Sequence, residues 1–381
     1  MTTLIHSVRL VDDAAEAADA WVLLAGGRVA ARGTGEDRPD AATIVDGRAM
    51  AGDGAVLTPG FIDIHGHGGG GSSYDDGPDA VRSARALHRA HGTTRAVISL
   101  VTAPLATLER RAAMVADLMT TDAGILGSHL EGPFLDPGHK GAHDPSLLRP
   151  PQAAAVTRLM DAGRGTIRQV TLAPELPGGL EAVRLVVAAG AAAAVGHTAA
   201  DLARTREAFD AGATILTHAF NAMPGLHHRA PGPVGAAASD PRVTLEVIAD
   251  GVHLAPEVVR IAFAAAPGRV ALITDAMAAA GASDGHYDLG SVAVDVVGGV
   301  ARLAGGGSIA GSTLTQDAAL RLTVSAGVPL AEAVGALTLV PARAIGRDRD
   351  LGSLTPGKRG DAVLLSADLH VRAVWVDGAR V

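Results

Sequence analysis

The stretch TPGFIDIHGHG, residues 58–68, decides how the rest of the chain is read. Its apolar run FIDIH (61–65) has the length of a buried strand and leads into His65-Gly66-His67. On an extended strand, residues two apart share a face, so both imidazoles project the same way from backbone positions about 6.5–7 Å apart, close enough to chelate one ion. Gly66 leaves room beside them. Seven further apolar runs follow: RAVISLV (95–101), GILGSHL (124–130), IRQVTLA (167–173), AAAAVG (191–196), TILT (214–217), VTLEVIA (243–249) and VALIT (270–274). Successive starts lie 34, 29, 43, 24, 23, 29 and 27 residues apart, close to the length of one strand–helix unit. Helix-like segments such as PDAVRSARALHRAH and PEVVRIAFAAAP, opening at Pro, fill the intervals. Eight such units close into a (β/α)8 barrel of TIM type, an α/β fold, predicted over residues 58–345.

Outside that region the texture changes. LIHSVRLV, WVLLAGGRVAARG and ATIVDG near the N-terminus read as short strands, with Ala-Gly-Gly as a hairpin turn. DAVLLSAD and VRAVWVDGARV repeat the pattern near the C-terminus. Neither set has enough strands to bury a face alone. The economical solution is one small β-sandwich domain made of residues 1–57 together with 346–381.

Composition narrows the chemistry. The 381 residues include no Cys, so thiolate metal sites, iron–sulfur clusters, disulfides and a Cys nucleophile are excluded, and any metal must sit on His, Asp or Glu. Fifteen His are available for that. A net charge of −8, with no basic cluster interleaved with aromatics, argues against nucleic acid as a partner. Mean hydropathy is positive, +0.26. Yet the best candidate span, residues 185–196, is stopped by Arg184 and His197, well short of the roughly 20 apolar residues that cross a bilayer. The N-terminus shows no basic segment followed by an apolar run, so no membrane partner and a cytoplasmic location are expected.

In a (β/α)8 barrel the reacting groups sit at the C-terminal ends of the strands. Run one ends in His65 and His67, run three in His129-Leu130-Glu131, run five in His197, run six in Thr217-His218 and run eight in Thr274-Asp275. A single His after an apolar run is ordinarily a hydrogen-bonded core or loop residue. The same ligand class at five of eight strand ends is not, because barrel closure alone brings those ends together. By contrast His88 and His91 fall on a predicted helix and its cap, His6 and His370 in the small domain, and His286 in a loop, and no site role is expected for them. Residues 68–71 and 305–307 are Gly runs that do not lead into Gly-Lys-Ser/Thr, so they read as mobile loops rather than a phosphate cradle.

The ligand order, the TPGFIDIHGHG opening and the closing PGKRGDAVLL (356–365) resemble the metal-dependent amidohydrolase superfamily. HLEGPFL (129–135) followed by KGAH (140–143), then GHTAA (196–200), THAFNAMPG (217–225), DGVH (250–253), LITDAMAAAG (272–281) and IAGSTLT (309–315) resemble its N-acetylglucosamine-6-phosphate deacetylase family in particular. The resemblance implies that Glu131, His197 and His218 hold a catalytic divalent ion, zinc first among zinc, iron, manganese and cobalt. The lysine count agrees with that use of Glu131: Lys140 is the only barrel lysine and lies outside every run, so no carboxylated lysine is available to bridge two metals. Some family members lack ligands at the positions of His65 and His67. Their presence here predicts a second ion held by His65, His67 and Glu131, hence one or two ions per subunit.

By the same resemblance, Asp275 acts as general base and then acid, and His143, beside Ala142, hydrogen-bonds the acetamide oxygen. Arg229 and His253 engage the sugar phosphate, with amide contacts from Asn221 and Ala222 and a backbone contact from Ile309, Ala310 and Gly311. The implied reaction is hydrolysis of N-acetyl-D-glucosamine 6-phosphate to D-glucosamine 6-phosphate and acetate, by a homodimer in which an arginine of the Arg229 loop crosses the interface. The alternatives are an amidohydrolase for another N-acetyl amino sugar or a cyclic amide, and a non-catalytic barrel, from which the ligands at these positions would be expected to have been lost.

Overall fold

The computed structural model describes every residue except Met1, Asp13 and Ala14. Eight parallel strands form one sheet in the order of the chain: Phe61–Asp63, Thr93–Val101, Ile125–Glu131, Ile167–Leu172, Ala192–Val195, Ile215–Leu216, Thr244–Ile248 and Val270–Ile273. Each falls on one of the eight apolar runs. Strands one and eight are not paired as a ladder, but the Asp275 amide donates to the His65 carbonyl at 2.8 Å, and the Thr274 hydroxyl donates to Asp63 at 2.5 Å. The ring is thus drawn together on the side where the ligands stand. All nine residues of Thr93–Val101 are buried, as expected of a strand with a filled barrel on one face and helices on the other.

Helices occupy the intervals with the terminal chemistry their sequences supply. Pro78 and Pro256 open Pro78–Ala90 and Pro256–Ala265, where a missing amide proton costs nothing. Asp201 caps Leu202–Asp210 by accepting from the Arg204 amide at 2.8 Å. No helix among the described residues is long and apolar enough to cross a membrane.

Both chain ends join one eight-stranded sheet. The long first strand, Thr2–Asp12, pairs in parallel with Thr43–Asp46 along its first half and with Val56–Pro59 near Arg9 and Leu10. Val56–Pro59 also pairs antiparallel with Ala362–Leu365, so the segment that enters the barrel at Phe61 is clamped between N- and C-terminal strands. The sheet curls over its own core, which includes Ile5, Val22, Leu57, Leu364 and Trp375. Arg95, in the second barrel strand and 1% exposed, donates to Asp361 at 2.6 and 2.8 Å and to Asp377 at 2.7 Å, stitching the barrel to the C-terminal strands.

Two expectations are corrected. His286 is not in a loop: it lies on Gly285–Leu289, the first of three antiparallel strands completed by Val292–Val297 and Val300–Leu303. This meander rises after the eighth barrel strand and packs Leu289, Val294 and Val296 with Val101, Ala142 and Met277. The glycines at 68–71 are tied down, since Gly68, Gly70 and Gly71 donate to the carbonyls of Ala276, Ala280 and Ala278.

Candidate active site

The strand ends turn their side chains inward through unusual backbone. His197, His218 and Asp275 have φ of +47°, +27° and +47°, a region L-residues enter at a cost of order 1–3 kcal/mol. Each is the first or second residue past a strand, where the chain leaves the ladder and can rotate its side chain over the barrel mouth. A small residue suits the position between the two histidines that follow the first strand: a Cβ on Gly66 would stand 3.0 Å from the Thr274 hydroxyl and 3.2 Å from Asp63, so those side chains would have to give by a few tenths of an ångström.

Two groups of side chains converge there. In the first, Glu131 Oε1 lies 3.1 Å from His197 Nε2 and 3.3 Å from His218 Nε2, and the two imidazole nitrogens are 2.9 Å apart. In the second, His67 Nε2 is 3.2 Å from Asp275 Oδ1 and 3.3 Å from His65 Nε2. Each trio offers ligand atoms within 4.8 Å of one another and could hold a metal ion. Glu131 stands between them, since its Oε2 is 3.1 Å from His67. Asp275 therefore completes the outer group with His65 and His67, and Glu131 faces both groups.

The tautomers fit this use. His197 Nδ1 donates to the His139 carbonyl at 2.9 Å and His65 Nδ1 donates to Glu246 at 3.1 Å, so in the neutral rings each Nε2 presents a lone pair to the cluster. Lone pairs and carboxylates at these separations repel unless a cation lies among them, and the donor set of imidazole and carboxylate suits a first-row divalent ion. Without such an ion protons do part of that work. Burial pulls His67 down, but hydrogen bonds to Asp275 and Glu131 outweigh it and hold the ring at about 9. Burial would raise the Asp275 and Glu131 carboxyls, yet the surrounding imidazoles, His65 foremost, keep both below the usual carboxylate range.

A cavity of about 370 Å³ opens onto this cluster. His67, Glu131, Ala142, His143, His197, His218, Asn221, Ala222, His253, Asp275, Ile309 and Gly311 line it. His65 lies beneath the wall, fully buried, and Ala310 is buried behind it. His143 is pushed down to about 4, chiefly by burial, and is neutral near pH 7, with its Nδ1 unpartnered. His253 receives no such treatment: burial lowers it, but Asp250, 2.7 Å from its Nδ1, raises it above its ordinary value. Arg229 is not brought to this cavity. It borders a separate hollow with Asp201, Arg206 and Pro231, and no carboxylate among the described residues pairs with it.

Two contributors are invisible to a search of strand ends: Glu246 holds His65 and Asp63 holds Thr274 from behind, while Asp250, just past the seventh run, holds His253. His129 Nδ1 lies 2.9 Å from Ser99 Oγ and its Nε2 2.8 Å from Thr171 Oγ1, so it is part of a polar layer under the cluster. The available signal was a lone acid inside an apolar run, as in FIDIH and VTLEVIA.

The amidohydrolase family model matches residues 56–381. An N-acetylgalactosamine-6-phosphate deacetylase of Escherichia coli O157:H7 is 46% identical over 86% of this chain and 88% of its own length. The N-acetylglucosamine-6-phosphate deacetylase of Bos taurus is 37% identical over 86% of this chain and 84% of its own. Among solved structures, the N-acetyl-D-glucosamine-6-phosphate deacetylase of Mycobacterium smegmatis superposes with a TM-score of 0.94 at 43% identity, over the whole of both chains. The corresponding enzyme of Thermotoga maritima gives 0.87 at 28% identity over 99% of each. With the ligand clusters, the cavity and the barrel they close all in place, the chain belongs to the amidohydrolase family.

Proposed function

We propose that the chain hydrolyses the acetamide of N-acetyl-D-glucosamine 6-phosphate, releasing acetate and D-glucosamine 6-phosphate, as a metal-dependent deacetylase of amino-sugar metabolism. The observation that carries this reading is the meeting, around one cavity, of the Glu131–His197–His218 group, Asp275 and His143 with His253, Asn221 and Ala222. Glu131, His197 and His218 would hold a divalent ion, zinc in the first instance, which when bound would supply a water of pKa lowered from 15.7 toward about 7 and polarisation of the acetamide carbonyl.

The chain's own residues do the rest. Asp275, ionised at neutral pH, accepts the proton of the attacking water as its oxygen bonds to the carbonyl carbon. His143, neutral, donates a hydrogen bond to the carbonyl oxygen as it gains negative charge. Asp275 then returns the proton to the sugar nitrogen, the C–N bond breaks, and the neutral amine and acetic acid form, the acid then giving its proton to the amine to leave acetate and the ammonium form of the sugar. Ala142, Ile309, Ala310 and Gly311 border the space where the acetamide and sugar ring would lie. His253 and the amides around Asn221 and Ala222 meet the phosphate.

Because Asp250 raises His253, this ring stays cationic to a higher pH than an ordinary histidine. The sign follows: phosphate attraction is present below the raised pKa and is lost as pH rises through it. KM for the 6-phosphate is expected to climb with pH above neutrality, and a His253→Asn variant to show a higher KM that no longer varies over that range. A wild-type profile as flat as that of the variant would remove His253 from the phosphate site.

Arg229 supports a homodimer. It stands outside its own cavity, unpaired with any carboxylate among the described residues, in a loop whose Leu226 is 54% exposed. Across a two-fold interface such a loop would supply Arg229 to the partner's phosphate, where a planar guanidinium suits two phosphate oxygens. An Arg229→Ala enzyme is expected to raise KM for the phosphorylated sugar about 10–100-fold, the equivalent of one charged hydrogen-bonded contact, with little change for the unphosphorylated sugar. Mixing Arg229→Ala with Asp275→Asn subunits should restore one good site per heterodimer. No gain on mixing would place Arg229 in its own subunit's site or in none.

The 46% identity to an N-acetylgalactosamine-6-phosphate deacetylase favours a second substrate, the C4 epimer. Comparing kcat/KM for the two 6-phosphates and for unphosphorylated N-acetylglucosamine tests the assignment. Preference for the galacto form would move the chain to that substrate, and equal turnover without phosphate would overturn the phosphate reading.

A further inference from the structure

The seventh barrel strand, Thr244–Ile248, carries one acid that the reaction above does not use. Leu245 and Val247 belong to the hydrophobic core, whereas Glu246 is 0% exposed and faces the polar layer beneath the ligand cluster. A buried carboxylate is costly unless donors and an opposite charge compensate it. Three donors reach it. Its Oε2 accepts from His65 Nδ1 at 3.1 Å and from the His218 amide at 3.4 Å, and its Oε1 accepts from Gln169 Nε2 at 2.8 Å. Among the described residues no Arg or Lys pairs with it; its ionic neighbour is His65.

The consequence falls on one imidazole. With its Nδ1 proton committed to Glu246, His65 turns Nε2 toward His67 Nε2 at 3.3 Å, Glu131 Oε1 at 3.5 Å and Asp275 Oδ1 at 3.6 Å. The other imidazole of the outer group, His67, has no partner on its Nδ1. One ring of the pair is therefore fixed from behind and the other is not. A carboxylate behind a histidine also makes the far nitrogen a stronger donor to a cation.

We propose that Glu246 is a positioning residue for the outer group: by holding the His65 ring and its tautomer at 3.1 Å, it sets how tightly His65, His67 and Asp275 bind a divalent ion, and it acts less on the Glu131–His197–His218 group, which it reaches only through the longer contact to the His218 amide at 3.4 Å. Glu246 touches neither substrate nor ion. The proposal rests on the metal-dependent reading above but not on which sugar is turned over.

The test needs no sugar. Full-length protein is stripped with a chelator and titrated with Zn2+ against a chromophoric competitor, which resolves ions per subunit and their affinities. Wild type is expected to take two ions. Glu246→Gln keeps an acceptor for His65 but loses the charge, and should weaken the outer ion about 10-fold; Glu246→Leu should weaken it about 100-fold, the range seen when such supporting groups are removed. The inner ion, reached only through the longer contact to the His218 amide, should lose clearly less affinity than the outer ion in both. In a His65→Asn background, Glu246→Gln should change nothing further, which a general effect on the fold would not produce. Should Glu246→Leu fail to fold, Glu246→Gln decides. Unchanged affinities, equal weakening of both ions, or a wild type that takes only one ion would overturn the proposal. Failure to release acetate alongside a selective loss of the outer ion would remove the sugar assignment and leave Glu246 in its role.

Discussion

Replacing Asp275 by Asn is expected to lower kcat by roughly 10²–10⁴, toward the upper end because one carboxylate both takes and returns the proton. The amide matches the carboxylate in shape and cannot serve as a base. Asp275 is ionised at neutral pH because His65 and His67 outweigh the effect of its burial, so the wild-type group is ready to accept a proton across the working range. The inner group contains no atom of Asp275, so the variant should retain an ion on Glu131, His197 and His218. Its KM should move far less than its kcat, since the loss falls in the transition state. Near-normal turnover with normal metal content would remove Asp275 from the proton-transfer role.

The second large effect belongs to Glu131→Ala. This carboxylate lies within 3.5 Å of His65, His67, His143, His197 and His218, so it is the shared anion of both ligand groups. Its removal leaves the His197 and His218 imidazoles, 2.9 Å apart, facing one another without the carboxylate they share. The ion of the Glu131–His197–His218 group should be lost while His65, His67 and Asp275 remain able to hold theirs, and kcat/KM should fall by at least about 10³. That figure is conservative against the lowering of water's pKa by nearly nine that a bound ion provides. Elemental analysis and kinetics on the same sample check it, and a fully active variant carrying its metal would contradict the account.

The barrel was legible because closure imposes one rule eight times. Each apolar run became a strand, and the residue types that follow them, at 65, 67, 131, 197, 218 and 275, stand at one mouth. What escaped the sequence did so for identifiable reasons. Glu246 and Asp63 sit inside runs that otherwise read as apolar, and only the barrel's inward face turns them into supports for His65, His218 and Thr274. The meander at Gly285–Leu289, Val292–Val297 and Val300–Leu303 follows the eighth strand where a loop was expected, and its exposed outer face, with His286 paired to Asp295, dilutes the apolar signal. The glycines at 68–71 look mobile in a string but are fixed by carbonyls of the segment after Asp275, more than 200 residues away. Arg229 follows the NAMP motif by a few residues, yet its loop turns it away from the cavity that Asn221 and Ala222 line. In the proposed homodimer it would meet the phosphate of the second subunit.

The most direct measurement is acetate release from N-acetyl-D-glucosamine 6-phosphate by the purified chain, before and after chelation, with Zn2+ restored in a third sample. The account predicts turnover in the first, loss of at least about 10³ in the second and recovery in the third. Release of acetate that survives complete removal of metal, or no release from the metal-loaded protein, would contradict it.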